Sequence, residues 1–386
     1  LGASFQGIGT LPGDGVSVAY GISGDGQYVV GASDDQAIRW HDGTMTGLGM
    51  LGCPIPSWSQ AFGVSQNGAH VVGGSCNDGF IWTQTTGMQA LSTKVGQVGS
   101  WWANAVSSQG DIVVGINDAE DAFAWSSADG VISLGTLPGH DRAEGKGVHY
   151  SPPFPPWFPG LVTVVGTSAN TTTGAFQAFK WDSSSQLMQG LGYLPGDARS
   201  GANAISRNAS TIVGWSRTAS GSSKPVRWVS GVIEEIPTGS IIGCEAKAVS
   251  GDGSVVVGSC GLGVAWIWDS LHGFRNMVTL LTKGFGLNLT DWTLSEATGV
   301  SDDGSRIVGY ALYNPEGDTE GWIADVAIPN DAEGNAQSIG AGQTSGSLAT
   351  ATPDGSDSCG GTGSPDIWYR YTAPASGVLR LDTCGT

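Results

Sequence analysis

The hydrophobic and polar positions of the chain follow a short pattern that occurs seven times. Residues 19–31 read as a strand of small residues, a turn at Asp25-Gly26 and a β-branched strand ending in glycine, which together predict a β-hairpin. Similar segments recur every ~40 to 50 residues, a period typical of radial or stacked repeats. The copies lie at 61–73, 103–115, 145–166 (degenerate and interrupted by an insertion), 202–214, 246–258 and 297–309.

Each repeat has a second half. After the hairpin come a polar loop, a short strand that carries a tryptophan, a turn and a fourth strand such as residues 131–138. Four strands in each of seven units predict a β-propeller with four-stranded blades. The tryptophans are Trp40, Trp82, Trp125, Trp181, Trp228, Trp268 and, shifted by two places, Trp322.

The two ends of the repeat region complement each other. Residues 4–12 match the fourth strand of a unit (compare 190–195), whereas the seventh unit has its third strand near Trp322 and no evident fourth. We therefore expect the N-terminal strand to complete the seventh blade and close the ring, which removes exposed sheet edges. The prediction is an all-β, seven-bladed propeller over residues 1–327.

The chain changes character after residue 327. Residues 328–386 carry no blade pattern, and their short alternating strands predict a partial C-terminal β-sandwich module. Cys359 and Cys384 form a candidate disulfide there. In the propeller, the order of the strands places the loop of Cys53 beside that of Cys76, and the loop of Cys244 beside that of Cys260. We predict these two disulfides.

The repeated phrases also resemble a known family. Leu-Gly-x-Leu-Pro-Gly, Ala-x-Gly-Val/Ile-Ser-x-Asp-Gly, Val-Val-Gly-x-Ser and Ala-Phe-x-Trp stand in fixed order over residues 4 to about 326. They resemble the HAF-type extracellular repeat family of bacteria, a resemblance that implies secretion but no particular chemistry. The C-terminal phrases at 365–374 and 382–385 resemble the beginning of a bacterial pre-peptidase C-terminal domain.

Composition narrows the classes of function. The chain has 63 glycines, 13% charged residues and a net charge of −18, so a surface for nucleic acid or an anionic membrane is disfavoured. No apolar run approaches the ~20 residues of a membrane span. The start at Leu1 and the six cysteines lead us to expect a secreted or cell-surface protein whose signal peptide has been removed, and the family resemblance implies that it is bacterial.

Candidate catalytic groups are few. The five histidines lie in different blades and strands, with no zinc-binding or catalytic spacing. Glu144-Gly145-Lys146, Glu245-Ala246-Lys247 and the equivalent Glu296 lie on inner strands near the predicted channel mouth. Residues i and i+2 share a strand face, so each Glu/Lys pair could face one cavity, where the carboxylates could serve as acid and base. Solvated ion pairs at the rim are the interpretation we favour.

Two further groups are candidates for binding. Asp118, Glu120 and Asp121 form an acidic loop that could bind calcium, but the loop lacks EF-hand spacing, and a solvated loop is the interpretation we favour. Aromatic residues outside the blade pattern could bind a glycan or a protein, because flat rings bury area at small entropic cost, or could pack beneath loops. These are Trp58, Trp101, Trp102, Trp157, Phe158 and Trp292.

Three functional hypotheses follow. The leading one is a secreted noncatalytic propeller that acts as a binding or structural module, with an extracellular glycan or protein as its partner. The second is a polysaccharide hydrolase or lyase that uses Glu144, Glu245 and Glu296. The third is a subunit that assembles with copies of itself into an extracellular filament.

Overall fold

A computed structural model describes residues 3–52, 57–97, 99–152, 160–261, 263–313, 317–326, 337–339 and 369–371. Its main feature is seven antiparallel sheets of four strands each. The first strands of successive blades contact one another in a closed cycle, so they lie innermost. The predicted seven-bladed propeller is confirmed.

The strands take the same order in every blade, from the centre outward. The inner strands are Ser17–Ile22, Ser59–Val64, Trp102–Val106, Arg142–Ser151, Arg199–Ile205, Cys244–Val249 and Trp292–Val300. The second strands are Tyr28–Ser33, His70–Ser75, Ile112–Ile116, Leu161–Asn170, Thr211–Arg217, Val255–Cys260 and Arg306–Tyr313. The third strands are Gln36–His41, Asp78–Thr83, Ala122–Ser126, Ala175–Asp182, Ser223–Val229, Val264–Asp269 and Asp318–Asp325.

Six outer strands follow directly in the chain, and the seventh comes from the N-terminus. Ser4–Gly7 pairs antiparallel with Asp318–Asp325, so the first residues of the chain complete the last blade as predicted. The other outer strands are Thr44–Gly47, Gly87–Ala90, Gly130–Gly135, Leu187–Gly190, Val232–Glu235 and Gly273–Asn276. Short helices at Leu91–Val95 and Met277–Thr279, the latter continued by a π-helical segment at Leu280–Gly284, precede two inner strands.

The hydrophobic core is divided among the interfaces between blades. Each cluster joins neighbouring sheets; for example, Val114 of the third blade shares one with Val164 and Phe179 of the fourth. Because every sheet is covered on both faces, second strands such as Tyr28–Ser33 are buried almost throughout instead of alternating.

The repeated phrases encode hydrogen bonds. In the opening repeat, Ser23 Oγ donates to Asp25 Oδ1 (2.5 Å) and accepts the Tyr28 amide (2.9 Å), which fixes the turn. The Leu-Pro-Gly phrase serves a different contact: the Leu11 amide donates to Ser33 Oγ (3.0 Å), which donates to the Asp14 carboxylate. Asp25-Gly26 is thus a turn whose polar groups are already paired.

The disulfide predictions have different outcomes. Cys244 and Cys260 form a disulfide between directly paired residues of the inner and second strands of the sixth blade, which confirms that prediction. Cys76 is disulfide-bonded, but its predicted partner Cys53 lies outside the described residues. Cys359 and Cys384 also lie outside them.

In the C-terminal region, Gln337–Ile339 and Tyr369–Tyr371 pair as parallel strands, and the boundary at residue 327 stays a prediction.

Candidate ligand-binding cup at the channel mouth

A bulge in every inner strand shapes the centre of the ring. The register shifts by one residue at the same place in all seven copies, as between Ala246 and Ala248. Opposite each bulge stands the glycine of the Val-Val-Gly phrase or its equivalent. A Cβ on Gly258 would lie 2.0 Å from the Glu245 carbonyl oxygen, and the other six glycines are equally close to theirs. Glycine is therefore required where the bulge forms.

The bulged residues line a central cavity of about 400 Å³, which we call the cup. Three of them donate hydrogen bonds to backbone carbonyls of the next blade: Asn104 to Gly145 (3.0 Å), Asn203 to Ala246 (2.8 Å) and Thr298 to Ala19 (2.8 Å). The wall of the cup is thus tied together between blades. The seven bulged residues are Tyr20, Phe62, Asn104, Lys146, Asn203, Lys247 and Thr298.

A second layer of side chains lies below the cup, on the side away from the face where the inner strands begin. Seven β-branched side chains, one from each blade, form the next layer and line a separate cavity of about 150 Å³. Across that lower opening, Arg207 of the fifth blade pairs with Asp302 of the seventh at 2.5 Å. A ligand therefore has its most direct access from the upper face. The β-branched residues are Ile22, Val64, Val106, Val148, Ile205, Val249 and Val300.

One side of the upper mouth is aromatic. Tyr20 lies 5.7 Å from Phe62, which lies 6.5 Å from Trp102, and Trp102 stacks on Trp58 at 5.5 Å between ring centroids. All four side chains are partly exposed. We call this row, which runs over blades 1 to 3, the aromatic arc. It offers flat apolar surface beside the polar groups of the other blades.

The other side of the mouth carries charge that is largely paired within the protein. Glu245 accepts from Arg217 at 2.7 Å through one carboxylate oxygen and from Lys247 at 3.3 Å through the other. The Arg217 guanidinium lies over the Trp215 ring at 4.5 Å. Glu144 accepts a hydrogen bond of 3.0 Å from Asn104.

A side pocket of about 330 Å³ adjoins the cup between blades 6 and 7. Glu245, Lys247, Glu296 and Tyr310 line it, and Lys247 also lines the cup. Burial, the nearby Glu296 carboxylate and a hydrogen bond to it raise the pKa of Tyr310 to about 12. Burial and the charge of Glu296 also raise the pKa of Tyr20. Both phenols therefore keep their protons at neutral pH and can donate hydrogen bonds.

The structure brings together some of the predicted site residues. Glu144, Lys146 and Lys247 line the cup. Glu245 and Glu296 line the adjoining pocket. Trp58 and Trp102 form half of the aromatic arc.

Trp101 is 3% exposed and packs edge-on against Phe123, which agrees with the alternative that these aromatic residues pack beneath loops. Trp292 packs edge-on against Phe5, with ring centroids 5.0 Å apart. Trp157 and Phe158 lie outside the described residues.

The acidic loop of the third blade is not drawn together as a cation site. Glu120 pairs with Arg142 at 3.7 Å, and Asp121 accepts from Ser133 at 3.2 Å. Within the described ranges, no three side chains of the metal-ligating types, Asp118 included, come close enough to hold an ion.

Sequence reasoning missed Tyr20, Phe62, Asn104, Asn203, Arg217 and Tyr310. Tyr20 and Phe62 occupy the variable place of the Ala-x-Gly phrase, so a comparison of that one place across the repeats would have found both. Arg217 comes from the blade before Glu245, and Tyr310 from the strand beside Glu296, so the sequence near either glutamate gives no sign of them.

Comparison with known proteins adds evidence on the fold. No protein-family model matches the chain, and no curated protein matches it either. Among the solved structures that it resembles is an oligogalacturonate lyase from Vibrio parahaemolyticus, with a TM-score of 0.51 and 10% identity over 85% of this chain and 98% of that one. At this identity the likeness shows a shared fold alone: the chain is a β-propeller protein. In the part of the chain that the structure describes, no helix is long and apolar enough to cross a membrane.

Proposed function

We propose that this protein is a noncatalytic binding module whose cup takes an oligosaccharide. The observation that carries the proposal is the aromatic arc at the mouth of a recess lined by polar side chains. A sugar ring has an apolar face that stacks on an aromatic ring and hydroxyl groups that need hydrogen-bond partners. Phe62, which lines the cup, and the adjacent Trp102 supply the first kind of contact, while Asn104 and Asn203 supply the second.

The state of the carboxylates favours binding over catalysis. A general acid or base needs an oxygen within reach of the substrate proton. Both oxygens of Glu245 are held by cationic side chains, and Glu144 accepts from Asn104. In our proposal these groups act as rim ion pairs and hydrogen-bond acceptors that keep the wall of the cup in place.

The proposal places the protein outside the cytoplasm, as a member of the HAF-type extracellular repeat proteins. The Cys244–Cys260 disulfide supports this, because disulfides persist in oxidising compartments. The repeated phrases that carry the resemblance also serve structural contacts in the blades.

A glycan array followed by calorimetric titration of the best oligosaccharide tests the proposal. Trp102→Ala removes the ring that lies between Phe62 and Trp58 in the aromatic arc, and we expect it to weaken binding at least about tenfold, the loss typical of a buried aromatic anchor. The matched control is Phe176→Ala, because Phe176 is 37% exposed on a third strand, away from the cup. Equal affinities of the two variants, or no glycan bound by the folded wild type, would contradict the proposal.

A glycan-cleaving enzyme is the second candidate, favoured by one observation. Glu245 and Glu296 line the same pocket with Tyr310, and the likeness to a lyase fold makes uronate-containing substrates the first to assay. Glu296→Gln should abolish turnover while Glu234→Gln, on an exposed outer strand, leaves it unchanged. No turnover by the wild type on pectate, alginate and neutral polysaccharides would remove this candidate.

A further inference from the structure

The layer of bulged residues divides the cup into an apolar side and a cationic side. Tyr20 and Phe62 stand on blades 1 and 2, whereas Lys146, Asn203 and Lys247 stand on blades 4, 5 and 6. No residue of this layer is a carboxylate. Glu144, one residue before Gly145, also lines the cup, where it accepts a hydrogen bond from Asn104, whereas Glu245 and Glu296 line the adjoining pocket. The base of the cup therefore presents ammonium groups opposite aromatic rings.

The two lysines differ in how they are held. Lys247 forms a salt bridge with Glu245, and Glu245 forms a second salt bridge with Arg217. Lys146 forms no salt bridge with any carboxylate among residues that the structure describes, although it is partly buried in the cup. An ammonium that is partly removed from water gains most from an anionic partner, because the attraction strengthens as water is excluded.

We propose that the cup selects an oligosaccharide that carries an anionic group, either a uronate carboxylate or a sulfate ester. The sugar ring stacks on the aromatic arc, and its anionic group lies against Lys146, with Asn203 and Lys247 beside it. This inference rests on the proposed function, since it names the class of oligosaccharide that the same cup takes. The volume of about 400 Å³ falls within the ~300–1,000 Å³ common for ligand pockets.

Selection must arise inside the cup and not from the field of the whole molecule. The net charge of −18 repels an anionic ligand at long range. Preference for an acidic glycan over its neutral counterpart therefore reports the local lysines. For the same reason, loss of one lysine should affect acidic ligands alone.

The experiment uses matched ligands and calorimetric titration of the full chain. Tetra-uronides of galacturonate, guluronate, mannuronate and glucuronate are each compared with the carboxyl-reduced neutral tetrasaccharide of the same linkage. Sulfated tetrasaccharides are compared with their desulfated forms, which separates the two sources of the anionic group. We expect at least one acidic ligand to bind tenfold or more tightly than its neutral partner.

Lys146→Met keeps much of the side-chain length without the charge. We expect it to weaken the acidic ligand about tenfold and leave the neutral one unchanged, while Lys94→Met, at an exposed position of the helix Leu91–Val95, changes neither. Equal affinity for acidic and neutral partners, or an equal effect of Lys146→Met on both, would overturn this inference and leave the proposed function intact. Binding of no oligosaccharide of either kind would overturn both. The wild-type ligand comparison decides the question even where Lys146→Met does not fold.

Discussion

The glycine opposite each bulge offers the most direct test of how the sequence builds the cup. In Gly258→Ala, the new Cβ would stand 2.0 Å from the Glu245 carbonyl oxygen and 2.7 Å from Trp266 Cζ2. The first distance is about 1.4 Å shorter than the 3.4 Å at which ordinary contact begins. Since the first clash is with backbone, no rotamer change relieves it, and the bulge that carries Lys247 must move.

Overpacking of this kind costs typically about 1–3 kcal/mol, and the clash with backbone places Gly258→Ala at the upper end, about 3 kcal/mol. At roughly 2 °C per kcal/mol for a domain of this size, we expect the melting temperature in calorimetry to fall by about 6 °C. The control is Gly15→Ala, because a Cβ there meets nothing within 4 Å. A melting temperature of Gly258→Ala equal to that of the control would refute the reasoning.

Three further predictions concern closure, cross-linking and pH. Deletion of residues 1–7 removes the outer strand of blade 7 and should lower the melting temperature more than Gly258→Ala does; an unchanged value would contradict the closure. Replacing both Cys244 and Cys260 by alanine should cost about 3 kcal/mol in denaturant unfolding, as expected for a loop of 16 residues, and an unchanged free energy of unfolding would contradict this. Tyr310 keeps its proton to about pH 12 when folded, whereas the unfolded phenol ionises near its usual pKa of 10, so stability should fall between pH 10 and 12. Tyr310→Phe should reduce that fall in urea midpoints at pH 9 and 11, and Tyr193→Phe, 45% exposed, should not.

The fold could be predicted because the repeated phrase is itself a set of contacts. The glycine of Val-Val-Gly leaves room for the bulge opposite it. The Ser-x-Asp-Gly phrase forms the hydrogen bond that fixes its own turn, and the Leu-Pro-Gly phrase donates a backbone hydrogen bond to the serine at the end of a second strand. Each copy therefore forms the same local structure. The repeat region begins with a fourth strand and ends with a third strand, which indicates how the ring closes. The pairing of Ser4–Gly7 with the last blade confirms this.

The site was predictable only in part, because its contacts cross between strands and blades. Neighbours in sequence face opposite sides of a strand, so Trp101 is buried while Trp102 joins the aromatic arc. The sequence alone did not indicate which of the two would join the arc. The pairing of Arg217 with Glu245 depends on the packing of two blades, which no local pattern encodes.

The central claim is that the cup is where this protein binds an oligosaccharide. A crystal structure of the protein with its best acidic tetrasaccharide tests it most directly. We predict sugar density in the cup, with a ring against Trp102 and an anionic group within hydrogen-bond distance of Lys146 Nζ. Sugar density on another surface, with the cup holding solvent alone, would contradict the account.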